Sequence, residues 1–324
     1  MRKRLRRSRP QRYHHPPNSL LSTYEVWDMN RKVILDCLNT AGHADLVADL
    51  DPLIRPAIHI SARQICHAPV DFQSNKEEHN ADRKKFAEAM QQLALGASRF
   101  GGLPDLPPNV EWPRRDGVPM EFVAQIRLED IAPHDSENAL PHAGTLLFFY
   151  NSQWTTYDQD EDFDACRVIH FEGPDSALLR ADPPTIQWRA EYDDKDRPTP
   201  FIHGLARLTF SRFEMPPGGV SPFISRESRL YQIWQDFHCE YSATWSAVPN
   251  GKTYVENHLL GYVDAQDYVG AHKHGTHDRA LLQVDSDDAA DFQWGDCDRL
   301  YFILTDEQLA ARDFSKVRLY SLLG

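Results

Sequence analysis

Ile58-His59-Ile60-Ser61-Ala62-Arg63 and Ile202-His203-Gly204-Leu205-Ala206-Arg207 share the frame Ile-His-x-x-Ala-Arg, 144 residues apart. Three further landmarks follow in the same order. Gly102-Leu103-Pro104-Asp105 is echoed by Gly261-Tyr262-Val263-Asp264, and Val123-Ala124-Gln125-Ile126 by Leu281-Leu282-Gln283-Val284. Gly144-Thr145-Leu146-Leu147-Phe148 is echoed by Asp298-Arg299-Leu300-Tyr301-Phe302, and these three separations are 159, 158 and 154 residues. Each match is short; their common order carries the reading. A period of about 20 to 50 residues would mean a solenoid. A spacing three times longer predicts two half-units related by a pseudo-twofold, with a seam where a binding site can form.

The chain then divides into a basic tail at 1–20, expected to be disordered, and a helical segment at 21–55. A first half-unit with its connecting loop spans 56–198 and a second spans 199–324, together one compact duplicated domain. Val26, Trp27, Val33, Ile34, Leu35 and Leu38 recur at near-helical spacing, and a second short helix over Ala44 to Leu50 ends at Asp51-Pro52. Pro56 to Gln64 reads as a strand. Phe86, Met90 and Leu93 mark one face of a helix between Lys76 and Leu95, and Ser228 to Cys239 offers its counterpart in the second half. Branched and aromatic runs predict strands at 121–128, 145–150, 168–171, 185–192, 205–213, 280–285, 299–304 and 317–322. Thr305-Asp306-Glu307 has the chemistry of a helix start. Strands and helices mix without regular alternation, which predicts an α+β fold, internally duplicated, of mostly antiparallel sheet with helices packed on it.

Composition narrows the function classes. With 324 residues, 41% of them hydrophobic, the chain can bury a large core. No apolar run approaches the roughly 20 residues that span a bilayer, so no membrane partner is expected. The first twelve residues carry seven basic side chains and no acid, so the formal charge of −13 becomes −20 over the remaining 312. An acidic body of that size repels phosphate backbones, and nucleic acid is not an expected partner. The five cysteines, an odd number with no Cys-x-x-Cys pair, predict reduced thiols in a cytoplasm.

Ser98 to Pro104, Glu111 to Pro113, Phe122 to Ile126, Gly144 to Phe149 and the run from Leu282 to Ser315 resemble the YwqG-like family of bacterial proteins. The resemblance covers roughly residues 57–319. It implies that family's fold and, because the family's function is unknown, no chemistry. The family's usual glycine is replaced here by Asp298.

Familiar enzyme motifs are absent from the sequence: no P-loop, no Gly-x-Gly-x-x-Gly after a strand, no His-Glu-x-x-His and no Gly-x-Ser-x-Gly. His272, His274, His277 and Asp278 place three imidazoles and a carboxylate close together, but Lys273 and Gly275 among them suit a solvated loop better than a metal site. Asp158 to Asp164 has Phe163 where a calcium loop needs glycine. Neither cofactor nor metal is expected, and no residue is assigned a catalytic role. Cys297 lies between Asp296 and Asp298, which disfavour its thiolate. His59 and His203, at equivalent places in the two strings, suit either acid–base work or a structural bond to backbone. Gln125 and Gln283 each carry a neutral amide between apolar strand residues, where it must find partners. The expected binding residues are Trp112, Gln125, Gln283, Asp285, Trp294 and Asp296, gathered at the seam. The expected function is non-catalytic protein binding, immunity-like or regulatory, with a basic toxin among the candidate partners. The alternative is a hydrolase or other small-molecule enzyme with a His/Asp site in the cleft between the halves.

Overall fold

The computed structural model describes residues 31–69, 80–152, 165–185, 201–217, 224–225, 227–233, 256–263, 278–294 and 299–321. The basic tail therefore lies outside the described residues, as do His272, His274, His277, the acidic loop 158–164, Asp296 and Cys297. Helices α1 (Arg31–Thr40) and α2 (Val47–Leu50) lead into β1 (Arg55–Cys66). Ile34, Leu38, Leu50 and Ile54 of this segment pack with Ile224 and Leu230, so the N-terminal helices have an apolar core of their own. Next come α3 (Asn80–Gln91), β2 (Arg99–Phe100), β3 (Asp105–Leu106), β4 (Arg114–Arg115), β5 (Val118–Pro119), β6 (Glu121–Arg127), α4 (Leu128–Ile131), β7 (Thr145–Tyr150), β8 (Cys166–Phe171) and β9 (Leu179–Arg180). The remainder holds β10 (Leu205–Met215), β11 (His258–Leu260), β12 (Asp278–Asp285), β13 (Arg299–Thr305), α5 (Asp306–Ala310) and β14 (Arg318–Ser321). Helix α5 begins with the expected chemistry: the Thr305 side chain accepts from Gln308 N while the Gln308 side chain accepts from Thr305 N.

Ten strands form one sheet in the order β14-β13-β12-β11-β1-β10-β2-β6-β7-β8. All its pairings are antiparallel, so the architecture is α+β and mostly antiparallel. Gln125 on β6 stands opposite Arg99 on one side and Leu147 on the other. Gln283 on β12 stands opposite His258 and Tyr301. Both strands also shift register two residues before the glutamine, at Val123 and at Leu281. An extra residue there bends the strand and increases its twist.

The same registers correct the pairing of the two opening strings. Arg99 and His258 hold the same place opposite the glutamines, so Phe100 corresponds to Leu259. Phe100 faces Ala206 and Leu259 faces Ile58, which matches Ile58 to Ala206, not to Ile202. His59 accordingly corresponds to Arg207. His203 lies before β10, because close packing at Gly204 delays the strand. A Cβ on Gly204 would come within 2.4 Å of Asp291 Oδ2, and one on Gly101, whose φ is +60°, within 1.9 Å of Gly204 O. Only glycines permit that approach.

The sheet curls until its outer strands approach each other. The Phe148 and Phe302 rings, from β7 and β13, meet at 5.2 Å between centroids, as do His170 and Phe314. Ile58, Ile60, Ala124, Phe148, Leu282 and Phe302 fill the concave side. On the convex side of the first flank, Phe86 and Met90 of α3 pack against Phe122, Leu147, Phe149 and Leu205. That burial explains the helix: its apolar residues fall on one face.

His59 stands opposite His258 across β1 and β11, and both rings pack edge-on to Phe213. Burial pushes the His59 imidazole down to about 4 and that of His258 to about 3. An unfolded histidine takes up its proton near pH 6.5. The contribution of these two rings to stability is therefore full above about pH 6.5 and is lost as pH falls toward 4 and below. For His59 alone the loss is on the order of 3 kcal/mol. Urea unfolding between about pH 7 and pH 4 should show a steep fall in stability that His59→Gln flattens. An unchanged slope in the variant would contradict a neutral buried His59.

Candidate functional site

The two central strands alternate between core and outer face. Ile58, Ile60, Ala62, Ala206, Leu208 and Phe210 point to the concave core. Alternation puts His59, Ser61, Arg63, Arg207, Thr209 and Ser211 on the convex face. Register sets Arg63 opposite Arg207, Ser61 opposite Thr209 and His59 opposite Ser211, a ladder of polar rungs. Arg63, Arg207, Thr209 and Ser211 are exposed.

At the arginine rung the strands and α3 enclose a cleft of about 390 Å³. Arg63, Arg207, Gln64 and Gln92 supply its polar lining, and Ile65, Ala89 and Leu93 its apolar one. Gln64 is held in place: its Nε2 donates to Asp288 O at 3.1 Å and lies 3.0 Å from His67 Nδ1. His67 Nδ1 in turn lies 2.7 Å from Asp291 Oδ1.

Like charges placed directly opposite each other across a strand pair destabilise it. Among the described residues neither Arg63 nor Arg207 has a carboxylate partner, whereas the other arginines near this sheet's core do. Arg99 and Arg180 share Asp105, Arg279 holds Glu137 and Asp306, Arg299 holds Asp285, and Arg318 holds Asp278. The pair at the centre of the sheet has no such partner among the described residues, and it faces solvent in a cleft. Such a cleft can accept an anion through forked guanidinium donors. Among the described residues, no three His, Cys, Asp or Glu side chains form a group that could hold a metal ion.

The residues expected at the seam are placed otherwise. Gln125 is fully buried: its Oε1 accepts from Asp105 N at 3.0 Å, and its Nε2 donates to Ala97 O at 3.1 Å and to Asp105 Oδ2 at 3.0 Å. Burial pushes the Asp105 carboxyl upward, but Arg99, Arg180 and Gln125 outweigh it and hold it below the usual carboxylate range. Gln283, equally buried, donates to Glu256 O at 2.9 Å while its Oε1 has no partner among the described residues. Trp112 and Trp294 are buried core residues whose indole N–H groups bond the backbone carbonyls of Met120 and Asp285. They belong to different clusters, Trp112 on Phe149 and Phe201, Trp294 on Phe292, Tyr150 and His203. Asp285 is buried and paired with Arg299 at 2.7 Å. Asp296 lies outside the described residues.

The histidines of the two strings do not converge. His59 faces Phe213 on the outer side, whereas His203 packs on Phe292 and Trp294 with its Nε2 3.3 Å from Glu121 Oε2. Ser152 Oγ donates to the same carboxylate and not to the imidazole, so the three form no serine–histidine relay. Arg63 and Arg207 went unnoticed as candidates in the sequence, although both strings end on them. An antiparallel pair sets the end of one strand against the start of the other, so Arg63, late in β1, meets Arg207, early in β10, and no local sequence pattern announces that meeting.

The two glutamines offer a contrast. Gln125→Leu would strand the Asp105 N–H and take a donor from a buried carboxylate, leaving Ala97 O to Arg99 Nη1 alone, while Gln283→Leu would break one bond and remove an oxygen with no partner among the described residues. Urea unfolding should find Gln125→Leu more destabilising than Gln283→Leu by at least about 2 kcal/mol. Equal losses would contradict the hydrogen bonding described here.

No curated protein matches this chain. A family model, Domain of unknown function (DUF1963), matches residues 98–321, from the residue before β2 to the end of β14. That span is more than two thirds of the 324 residues, and the chain belongs to the DUF1963 family.

Proposed function

We propose that this chain is a non-catalytic binding protein made of two copies of one five-stranded unit, and that it receives an anionic group where the copies meet. The duplication is supported by corresponding bonds as well as registers. Gln125 Nε2 reaches Ala97 O as Gln283 Nε2 reaches Glu256 O. Ser98 Oγ accepts from Arg127 N and donates to Asp130, while Asn257 accepts from Asp285 N and donates to Asp287. The resemblance to YwqG-like proteins points to the same lineage within the family, and the cysteine pattern favours a cytoplasmic setting.

One observation carries the binding reading: Arg63 and Arg207 stand opposite each other in a cleft, exposed and with no carboxylate partner among the described residues. In a protein of net charge −13, two opposed cations with no carboxylate partner among the described residues favour an opposite charge there. A basic partner, such as a toxin, would be steered by the acidic body as a whole. Whatever enters this cleft must bring carboxylate or phosphate oxygens.

If the arginines serve recognition, the fold does not need them. Arg63→Gln and Arg207→Gln should leave stability unchanged or raise it by about 0.5 kcal/mol at low salt, because a like-charge repulsion disappears. The gain should vanish at about 0.5 M NaCl. A loss above about 1 kcal/mol in either variant would make the pair structural and end this reading.

A further inference from the structure

We infer that the cleft between β1, β10 and α3 takes a small organic phosphate, with Arg63 and Arg207 closing on its phosphoryl group. This rests on the anion-binding reading above and narrows it by charge, donor geometry and size. The cleft offers two positive charges, and none of its lining residues is acidic. A single carboxylate would leave one guanidinium uncompensated, whereas a phosphomonoester carries about −1.5 to −2 near neutral pH and presents three strong acceptor oxygens. The two forks spring from directly opposed residues, whose Cβ atoms lie about 5 Å apart. That spacing suits convergence on one tetrahedral centre.

The next rung on the same face carries hydroxyls. Ser61 and Thr209 stand opposite each other two residues along each strand from the arginines, beside the cleft and not in its lining, so the side-chain donors of the cleft itself are the arginines and the amides of Gln64 and Gln92. The volume of about 390 Å³ exceeds what a phosphate ion fills. Ile65, Ala89 and Leu93 line the remainder with apolar surface, so the ligand has an organic part.

Titration calorimetry on the full chain, at constant ionic strength and about pH 7.5, would compare phenyl phosphate, inorganic phosphate and succinate. Phenyl phosphate should bind saturably, more tightly than inorganic phosphate, and at least about tenfold more tightly than succinate. Arg63→Gln and Arg207→Gln should each weaken it at least about tenfold, while Arg167→Gln, an exposed arginine on β8, should change it by less than about twofold. Succinate binding as well as phenyl phosphate would overturn the phosphate assignment and leave the arginine cleft an anion site. No saturable binding of any of the three, or an equal effect of Arg167→Gln, would overturn the site itself. The urea test of the arginine variants is independent of every one of these outcomes.

Discussion

The antiparallel pairing of β1 with β10 is the constraint on which the rest depends. It runs from Arg55 opposite Met215 to Gln64 opposite Ala206 without a break and places one flank of the sheet on each side. A slip of β1 by one residue would turn Arg63 into the core and Ala62 out of it. Burial of the concave face thus sets the position of the arginines. Their electrostatic repulsion is small at an exposed site, and the apolar burial behind them is far larger.

Around that pairing the two flanks differ in how they satisfy the same buried amide. On the first, Arg99, Asp105, Arg180 and Gln125 form a closed network that ties β2, β3, β6 and β9 together. On the second, a histidine replaces the arginine: His258 is neutral and bonds Tyr262 O. A buried ion network with its lone pairs filled resists loss of any member, whereas a neutral imidazole makes its strand sensitive to acid. The flanks share registers and bulges but respond to different perturbations.

Much of this was legible in the sequence, for a physical reason. Long strands such as β1, β7 and β13 show their own apolar or alternating pattern, and α5 shows its capping residues. Strands β2 to β5, β9 and β11 are two or three residues long and take their conformation from their partners, so no local pattern announces them. Gln125 finds partners for both ends of its amide, whereas Gln283 finds one for its Nε2 alone among the described residues. Trp112 and Trp294 stand among the expected binding residues because a sequence does not tell which face an aromatic residue takes. Both turned inward, their N–H groups meeting backbone carbonyls. The two like strings lead to the two strands that pair at the centre of the sheet, but the registers set Ile58 in the place of Ala206, not of Ile202. Four positions of slippage at Gly204 match His59 with Arg207, and only the registers of neighbouring strands reveal it.

The most direct test is a disulfide across the centre. With Arg63→Cys and Arg207→Cys in one chain, opposed Cα atoms about 5 Å apart permit the bond. Mass spectrometry of the oxidised protein should find residues 63 and 207 linked, with phenyl phosphate binding absent because both arginines are gone. A chain that resists the link, or one that links and still binds phenyl phosphate as the unmodified protein does, would contradict the account.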